Sequence, residues 1–446
     1  MKIIALLFLA FAGIPSSELL AIQQPQAPDD KSSFWNDVFQ KNHVVDIRIK
    51  LSKANWEKMQ PQGFRGSNYE YVEADLVIDG EDFAKSGLRF KGNSSYRFSA
   101  NSMKRPLKVD TNRFVETQKL HGRTKFNLSN SALDSAYMKE KLAYELYSKA
   151  GLPTPGVGWA NVKLEVEGLQ EETNLGLYVL IEQVDDKFLK RKLGKASKDS
   201  LLMKPEVMSW RYLGEETDVY SAFNIKSGED DVEQIKKFAS VLKLIDDGTD
   251  EQFAAQIGEK MDLDLLAGYL ATTSLLSSLD SYVAAPHNYY LVMDKADGKL
   301  KLLPWDVNES FGTFTFNQDP SVLVNWDISK PYITGHRVLN RLFKTDFFPK
   351  LYRSKLEKLI KEDFTVEKIN GRIAEYEKAI LPFVQAKGFG ELLGLQMGIE
   401  GDKDGINRSA NRKIYSIQHF VKERFESVES QLQGKSKGQA IRGGFF

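Results

Sequence analysis

Two stretches of this chain concentrate residues able to do chemistry. The first is GLRFKGNSS at 87–95, which leads into KRPLKV at 104–109. A strand ending in Gly92, Asn93, Ser94 and Ser95 presents backbone N–H groups and two hydroxyls, and such a loop can wrap an anion. Lys104 and Lys108 close by would neutralise phosphate charge. The same composition also describes a plain turn beside a solvated basic strand. The second stretch is LDSYVAAPHNYY at 279–290, followed by LLPWDVNESFG at 302–312. Asp280 ends a strongly apolar helix, Asn288 opens an apolar strand, and Asp306 follows another strand after Trp305. Hard oxygen ligands on the ends of two adjacent strands can hold a divalent cation that bridges phosphates. A carboxylate at the end of a buried helix can orient a substrate hydroxyl. The alternative is that Asp280 and Asn288 shape a turn and Asp306 caps it.

Other chemistries have no foothold. There is no GxxxxGK[ST], GxGxxG, HExxH or GxSxG, and the five histidines show no metal-ligand spacing. The chain has no cysteine, so disulfides, thiolate zinc sites and a cysteine nucleophile are excluded. Lys plus Arg and Asp plus Glu balance at 61 each. With no basic patch interleaved with aromatics, the chain has no general attraction to nucleic acid. An Asp402-Lys403-Asp404-Gly405 run lacks the third acid and the distal Glu of a calcium loop and reads as a surface turn. Tyr289, Tyr290, Trp305 and Phe311 read as packing around a cleft.

The elements that must position these residues follow from periodicity. After Met1-Lys2, an apolar run at 3–14 and a short polar stretch give the order of a secretory leader over 1–21. The run is well short of the ~20 residues a membrane span needs, and no later segment is long and apolar enough, so stable membrane insertion is not expected. Residues 22–34 read as a linker. Alternating apolar residues predict strands at 43–51, 71–78, 86–91, 106–109, 125–128, 158–166 and 176–181, with a short helix at 53–59 capped by Ser52. An amphipathic helix spans 136–150 and stops at Gly151. From 185 onward the spacing turns helical (232–246, 250–260, 262–279 and most of 337–433), broken by strands at 288–293 and 301–303. Residues 434–446 read as a disordered tail. The class is α+β, with a sheet-rich part at 35–182 and a mainly helical part at 183–433. The change of texture near 182–190 marks a hinge where a ligand cleft could lie.

The ordered series GLRFKGNSS, KRPLKV, MKEKLA, GLYVLIEQVDDKFL, LDSYVAAPHNYY and LLPWDVNESFG resembles the CotH family of spore-coat kinases, across most of 40–430 and including IQHFVKER at 417–424. The resemblance implies an atypical protein-kinase-like, two-lobed fold, with a sheet-rich N-lobe at 35–182 and a helical C-lobe at 183–433. It implies an ATP-dependent phosphotransferase using Mg2+ or Mn2+, acting after export on Ser or Thr of a secreted or envelope protein. By this likeness Gly92, Asn93, Ser94 and Ser95 correspond to the phosphate-covering loop. Lys108 resembles the phosphate-binding lysine, with Lys104 its rival, and Glu140 the glutamate that pairs with it, with Glu145 also open. Glu182, with Gln183 and Val184, resembles the adenine-binding hinge. Asp280 resembles the catalytic aspartate, and Asn288 and Asp306 the metal ligands. The family's usual Trp-Asp-x-Asp reads Trp305-Asp306-Val307-Asn308 here, a lost charge that neighbouring Glu309 could offset. The Asp280-to-Asn288 spacing is also longer than in ordinary protein kinases. Some relatives are surface proteins, so a non-catalytic adhesive or structural binder on a degenerate kinase-like fold is the competing expectation.

Overall fold

The computed structural model describes residues 30–441 apart from 62–68, 100, 207–209, 286 and 410–411. The expected leader at 1–21 lies outside the described residues, as do most of the linker and the last residues of the tail. Helix α1 (Asp30–Gln40) begins within the segment expected to be linker. Its Trp35, Val38 and Phe39 are buried, which fixes it against the strands that follow.

The N-terminal half carries β1 (Val44–Leu51), α2 (Lys53–Met59), β2 (Val72–Ile78), β3 (Glu81–Phe90), α3 (Ser94–Phe98), β4 (Leu107–Asp110), β5 (Lys125–Ser129), α4 (Lys139–Lys149), β6 (Val157–Val166) and β7 (Gln170–Glu182). Ser52 caps α2 by accepting from Asn55 N at 3.2 Å. The seven strands close into a barrel in the order β1-β2-β3-β4-β5-β7-β6. Only β1 and β6 run parallel. Closure leaves no unpaired sheet edge to be covered.

Strand alternation divides the wall. Leu88 pairs with Val109 and Phe90 with Leu107, and these side chains fill the barrel together with Phe126 and Leu128. The residues between them, Arg89 opposite Lys108 and then Lys108 opposite Asn127, therefore point outward. On β6 and β7 the outward residues are apolar instead. Trp159, Leu177, Val179 and Ile181 join a second core under α4 and the C-terminal half. The barrel thus presents a greasy face that docks and a polar, cationic face that does not.

The C-terminal half comprises α5 (Asp186–Leu193), β8 (Leu201–Met203), β9 (Ile225–Ser227), α6 (Val232–Asp247), α7 (Asp250–Lys260), α8 (Leu263–Leu275), β10 (Tyr289–Met293), β11 (Leu300–Pro304), α9 (Pro320–Val324), α10 (Arg337–Leu342), α11 (Phe348–Glu362), α12 (Val366–Lys387), α13 (Phe389–Ile399), β12 (Ile406–Ser409), β13 (Arg412–Tyr415) and α14 (Ile417–Leu432). A four-stranded sheet runs β11-β10-β8-β9. Helix α8 is buried nearly all round, as befits a helix that is apolar on every face. Arg424 of α14 is fully buried and donates to the carbonyls of Ser274, Val324 and Trp326. That guanidinium ties the last helix to the end of α8.

Three expectations are corrected. The apolar helix expected at 262–279 stops at Leu275, because Ser277 turns left-handed (φ 44°) and its hydroxyl bonds Leu323 O at 2.7 Å. Asp280 therefore sits in a turn beyond the helix. The helical end contains a hairpin, β12–β13, entered through a turn in which the Asp402 carboxylate accepts from the Asp404 and Ile406 amides. Within the segment expected to be a disordered tail, 434–441 is described: Gln439 forms a β-bridge with Trp326, and Ile441 is buried. The mixed α+β class holds, with a closed barrel where a sheet-rich N-lobe was expected. Among the described residues no helix is long and apolar enough to cross a membrane.

Candidate active site

Strands β10 and β11 deliver Asn288 and Asp306 to the same place. Tyr289 pairs with Pro304, and just beyond, the Asn288 carbonyl accepts from Trp305 N at 3.3 Å. Both Asn288 (φ 63°) and Asp306 (φ 56°) adopt left-handed backbone. Asn and Asp tolerate that region better than other side chains, and such outliers persist where surrounding structure holds them. Asp306 N donates to the Tyr144 hydroxyl of α4 at 3.0 Å, which anchors the turn.

Asp280 reaches the same point from the turn after α8. One carboxylate oxygen accepts from His287 Nε2 at 2.8 Å and the other from Asn288 Nδ2 at 2.8 Å. The Asn288 amide nitrogen also donates to the Asp280 carbonyl at 3.0 Å. With its nitrogen committed to Asp280, the amide must turn its oxygen the other way. Burial lowers the basicity of His287, but the hydrogen bond and charge of Asp280, helped by Asp306, outweigh it and raise the imidazole pKa.

The third component is a charge cluster. Glu140, in the first turn of α4, is 2% exposed. Burial first, and then the nearby charge of Asp306, push its pKa up to about 8, while Lys91 pulls it down. Lys91, just past β3, is lowered by burial and held up by Asp306 and Glu140. Lys91 thus lies within electrostatic reach of both acids, and its Nζ lies 5.8 Å from the Trp305 ring centroid. The N-terminus of α4 is fixed by buried Asp134, which accepts from the amides of Ala136 (3.2 Å) and Lys139 (2.8 Å).

Of these groups, Lys91, Trp305 and Asp306 line a cavity of about 510 Å3 between the cationic face of the barrel and the β8–β11 sheet. Arg89, Lys91, Lys108, Lys125, Lys187, Lys204 and Lys226 line it, against Asp185, Asp186 and Asp306. Lys108 is pushed down to about 7 by burial and then by Arg89, Lys91 and Lys125. Cations that repel one another this strongly are relieved by a bound polyanion.

The residues expected from sequence divide. Asp280 and Asn288 are hydrogen-bonded to each other, Glu140 is within electrostatic reach of Asp306 and Lys91, and Asp306, Lys108 and Gly92 line the cavity. Asn93 precedes α3 and Ser94 and Ser95 open it, and none of the three is among the lining residues. Lys104 lies elsewhere: its Nζ bonds the Tyr137 hydroxyl at 3.1 Å, and Glu391 is the carboxylate that acts on it. Glu145 pairs with Arg372 and Tyr376, outside this cavity. The Glu182 side chain is buried in an ion cluster with Arg123 and Arg191, and both its N–H and its carboxylate engage Gly156. Gln183 and Val184 line the cavity in its place. Glu309 is buried, and its charge acts on Lys139. The residue passed over was Lys91. Its signal was present in the alternation of LRFK, which puts residues 89 and 91 on the face opposite Leu88 and Phe90.

A divalent cation can be matched to these donors. Among the described residues no cluster of three or more His, Cys, Asp or Glu could hold an ion unaided. Asp306 and the outward-turned Asn288 oxygen offer two hard donors, the set expected of a Mg2+ site completed by phosphate and water.

Barrel, second sheet and cleft together define an α+β protein with a cation-lined cavity, beside which Asp280, Asn288 and Asp306 converge. The family model described as CotH kinase protein matches residues 88–428, and the chain belongs to that family. It is also similar to the inner spore coat protein H of Bacillus subtilis (strain 168), with 25% identity over 354 residues that cover 77% of this chain and 86% of the relative.

Proposed function

We propose that this chain is an ATP- and divalent-metal-dependent phosphotransferase of the CotH kinase type, built on a two-lobed, kinase-like arrangement and acting on Ser or Thr of a secreted or envelope protein. The observation that carries it is the Lys91–Glu140–Asp306 cluster at the edge of a cation-lined cavity. Lys91, oriented by Glu140, binds the inner phosphates, and Lys108 and Arg89 extend the anion-binding wall. Gln183 and Val184 border the space for the base. Asp306 and Asn288 would hold the ion, which supplies neutralisation of phosphate charge when bound. Asp280, fixed by His287 and Asn288, accepts the proton of the acceptor hydroxyl as its oxygen bonds to the γ-phosphorus and ADP leaves. The apolar run at 3–14 supports export, and the coat location named for the relative agrees with an extracytoplasmic setting.

The second reading is a structural or adhesive binder. Asn308, in place of a second acid, favours it, because the site then has less charge for a second ion. Incubating the protein with labelled ATP and Mg2+ or Mn2+, followed by a melting scan, separates the two. The kinase reading expects label transfer or hydrolysis. It also expects stabilisation of roughly 2.7 kcal/mol at 100 times Kd, a rise of a few degrees. No melting shift with ATP or ADP under either metal removes it.

A further inference from the structure

A second cavity of about 560 Å3 lies on the other side of α4, walled by α4, the 154–157 segment, the end of α5 and the start of α12. Its size is that of a small-molecule site. Five cations line it, Lys141, Lys149, Lys192, Lys368 and Arg372, against the carboxylates Glu145 and Asp363.

The cations differ in how they are employed. Lys141 is buried and donates to the carbonyls of Phe39 (2.8 Å) and Val157 (2.7 Å). Arg372 already neutralises Glu145 at 2.8 Å, so that carboxylate does not repel an incoming anion. Lys368 donates to the Glu362 carbonyl. Lys149 and Lys192 have no ion-pair partner among the described residues, although both border the cavity. The pKa of Lys192 is lowered by burial and then by Arg123 and Arg191, so an anion beside it would be welcome. Thr154 is 6% exposed and borders the same space. Its hydroxyl has no hydrogen-bond partner among the described residues and is available to a ligand oxygen.

We propose that this cavity is a second binding site, distinct from the one above, for a compact multivalent anion carrying phosphate or carboxylate groups. Lys149 and Lys192 clamp the charge from the ends of α4 and α5, and the Thr154 hydroxyl donates from the floor. Helix α5 reaches the first cavity through Asp186 and Lys187, and Glu140 at the start of α4 acts electrostatically on that cavity's Lys91, so the two sites lie at opposite ends of α5. The proposal does not depend on what the first cavity binds.

Pyrophosphate and citrate are the probes, titrated calorimetrically into the full chain, the Lys149→Gln/Lys192→Gln double variant and Lys108→Gln. Both substituted lysines keep side-chain surface open to solvent, with Lys192 only partly desolvated by its neighbours, so folding should survive, and circular dichroism checks it. The expected result is a loss of at least tenfold in affinity for one or both anions in the double variant, with Lys108→Gln retaining that binding event. Preference between the probes tells phosphate from carboxylate ligands. Anion affinity unchanged in the double variant, or binding lost only in Lys108→Gln, overturns the second site.

Discussion

Glu140 provides the most exacting test of the charge cluster. Its carboxyl is buried, and its pKa is raised from 4.5 to about 8 by burial and by Asp306. An acid raised in the folded state holds its proton there at pH values where the unfolded chain has lost it. Folding stability therefore falls as pH rises from about 4.5 to about 8 and levels off above. At about 1.4 kcal/mol per pKa unit the full effect would be several kcal/mol. Lys91 works the other way: burial lowers its pKa, so it makes stability rise with pH below the ordinary lysine value of 10.5. Glu140→Gln removes the titration and keeps the shape. The stability of the variant minus that of the parent should grow by a few kcal/mol between pH 5 and pH 8. Urea unfolding at half-unit pH steps measures it. Parallel stability curves for the two proteins would refute the burial of a carboxyl beside Asp306, and with it the cluster.

Asp306→Asn should weaken metal-dependent nucleotide binding, whereas Asp280→Asn should leave it nearly intact and lower turnover by on the order of 10²; titration of a fluorescent ATP analogue with both variants decides, and equal affinities contradict the assigned roles. Glu182→Gln leaves Arg123 and Arg191 facing each other without their shared carboxylate, and should cost about 3 kcal/mol in urea unfolding. Nucleotide affinity per folded molecule should be unchanged, and a loss of less than 0.5 kcal/mol (roughly the scatter of surface substitutions) would argue against a buried ion cluster. Gly92→Ala places a Cβ 2.4 Å from Ser95 Oγ at φ 77°. It should destabilise by about 1–2 kcal/mol, read as a lower urea midpoint with unchanged slope, and a neutral result would show that the loop relaxes freely.

Much of this protein is set by local pattern. Alternation of apolar residues located the barrel strands, because a strand buried on one face must repeat every second residue. Ser52 announced α2, and the apolar spacing after 136 announced α4. Asp280, Asn288 and Asp306 were legible as a group because few side chains suit phosphate and metal chemistry, and the family resemblance fixed their order. Other features depend on contacts between residues far apart in sequence. Sequence showed a basic segment without showing which lysine would meet Glu140. Strand register and the docking of α4 chose Lys91, and the same geometry carried Lys104 away to Tyr137 and Glu391. Glu182 sits at the expected hinge position, yet folding buries its carboxylate between two arginines and leaves the cavity wall to Gln183 and Val184. Residues 434–441 looked disordered from composition, yet Gln439 pairs with Trp326 far away in sequence. Sequence determined which groups could carry charge and where strands and helices could form. Tertiary structure decided which charges share a low-dielectric space, because their energies depend on distance and burial across elements that only the folded chain brings together.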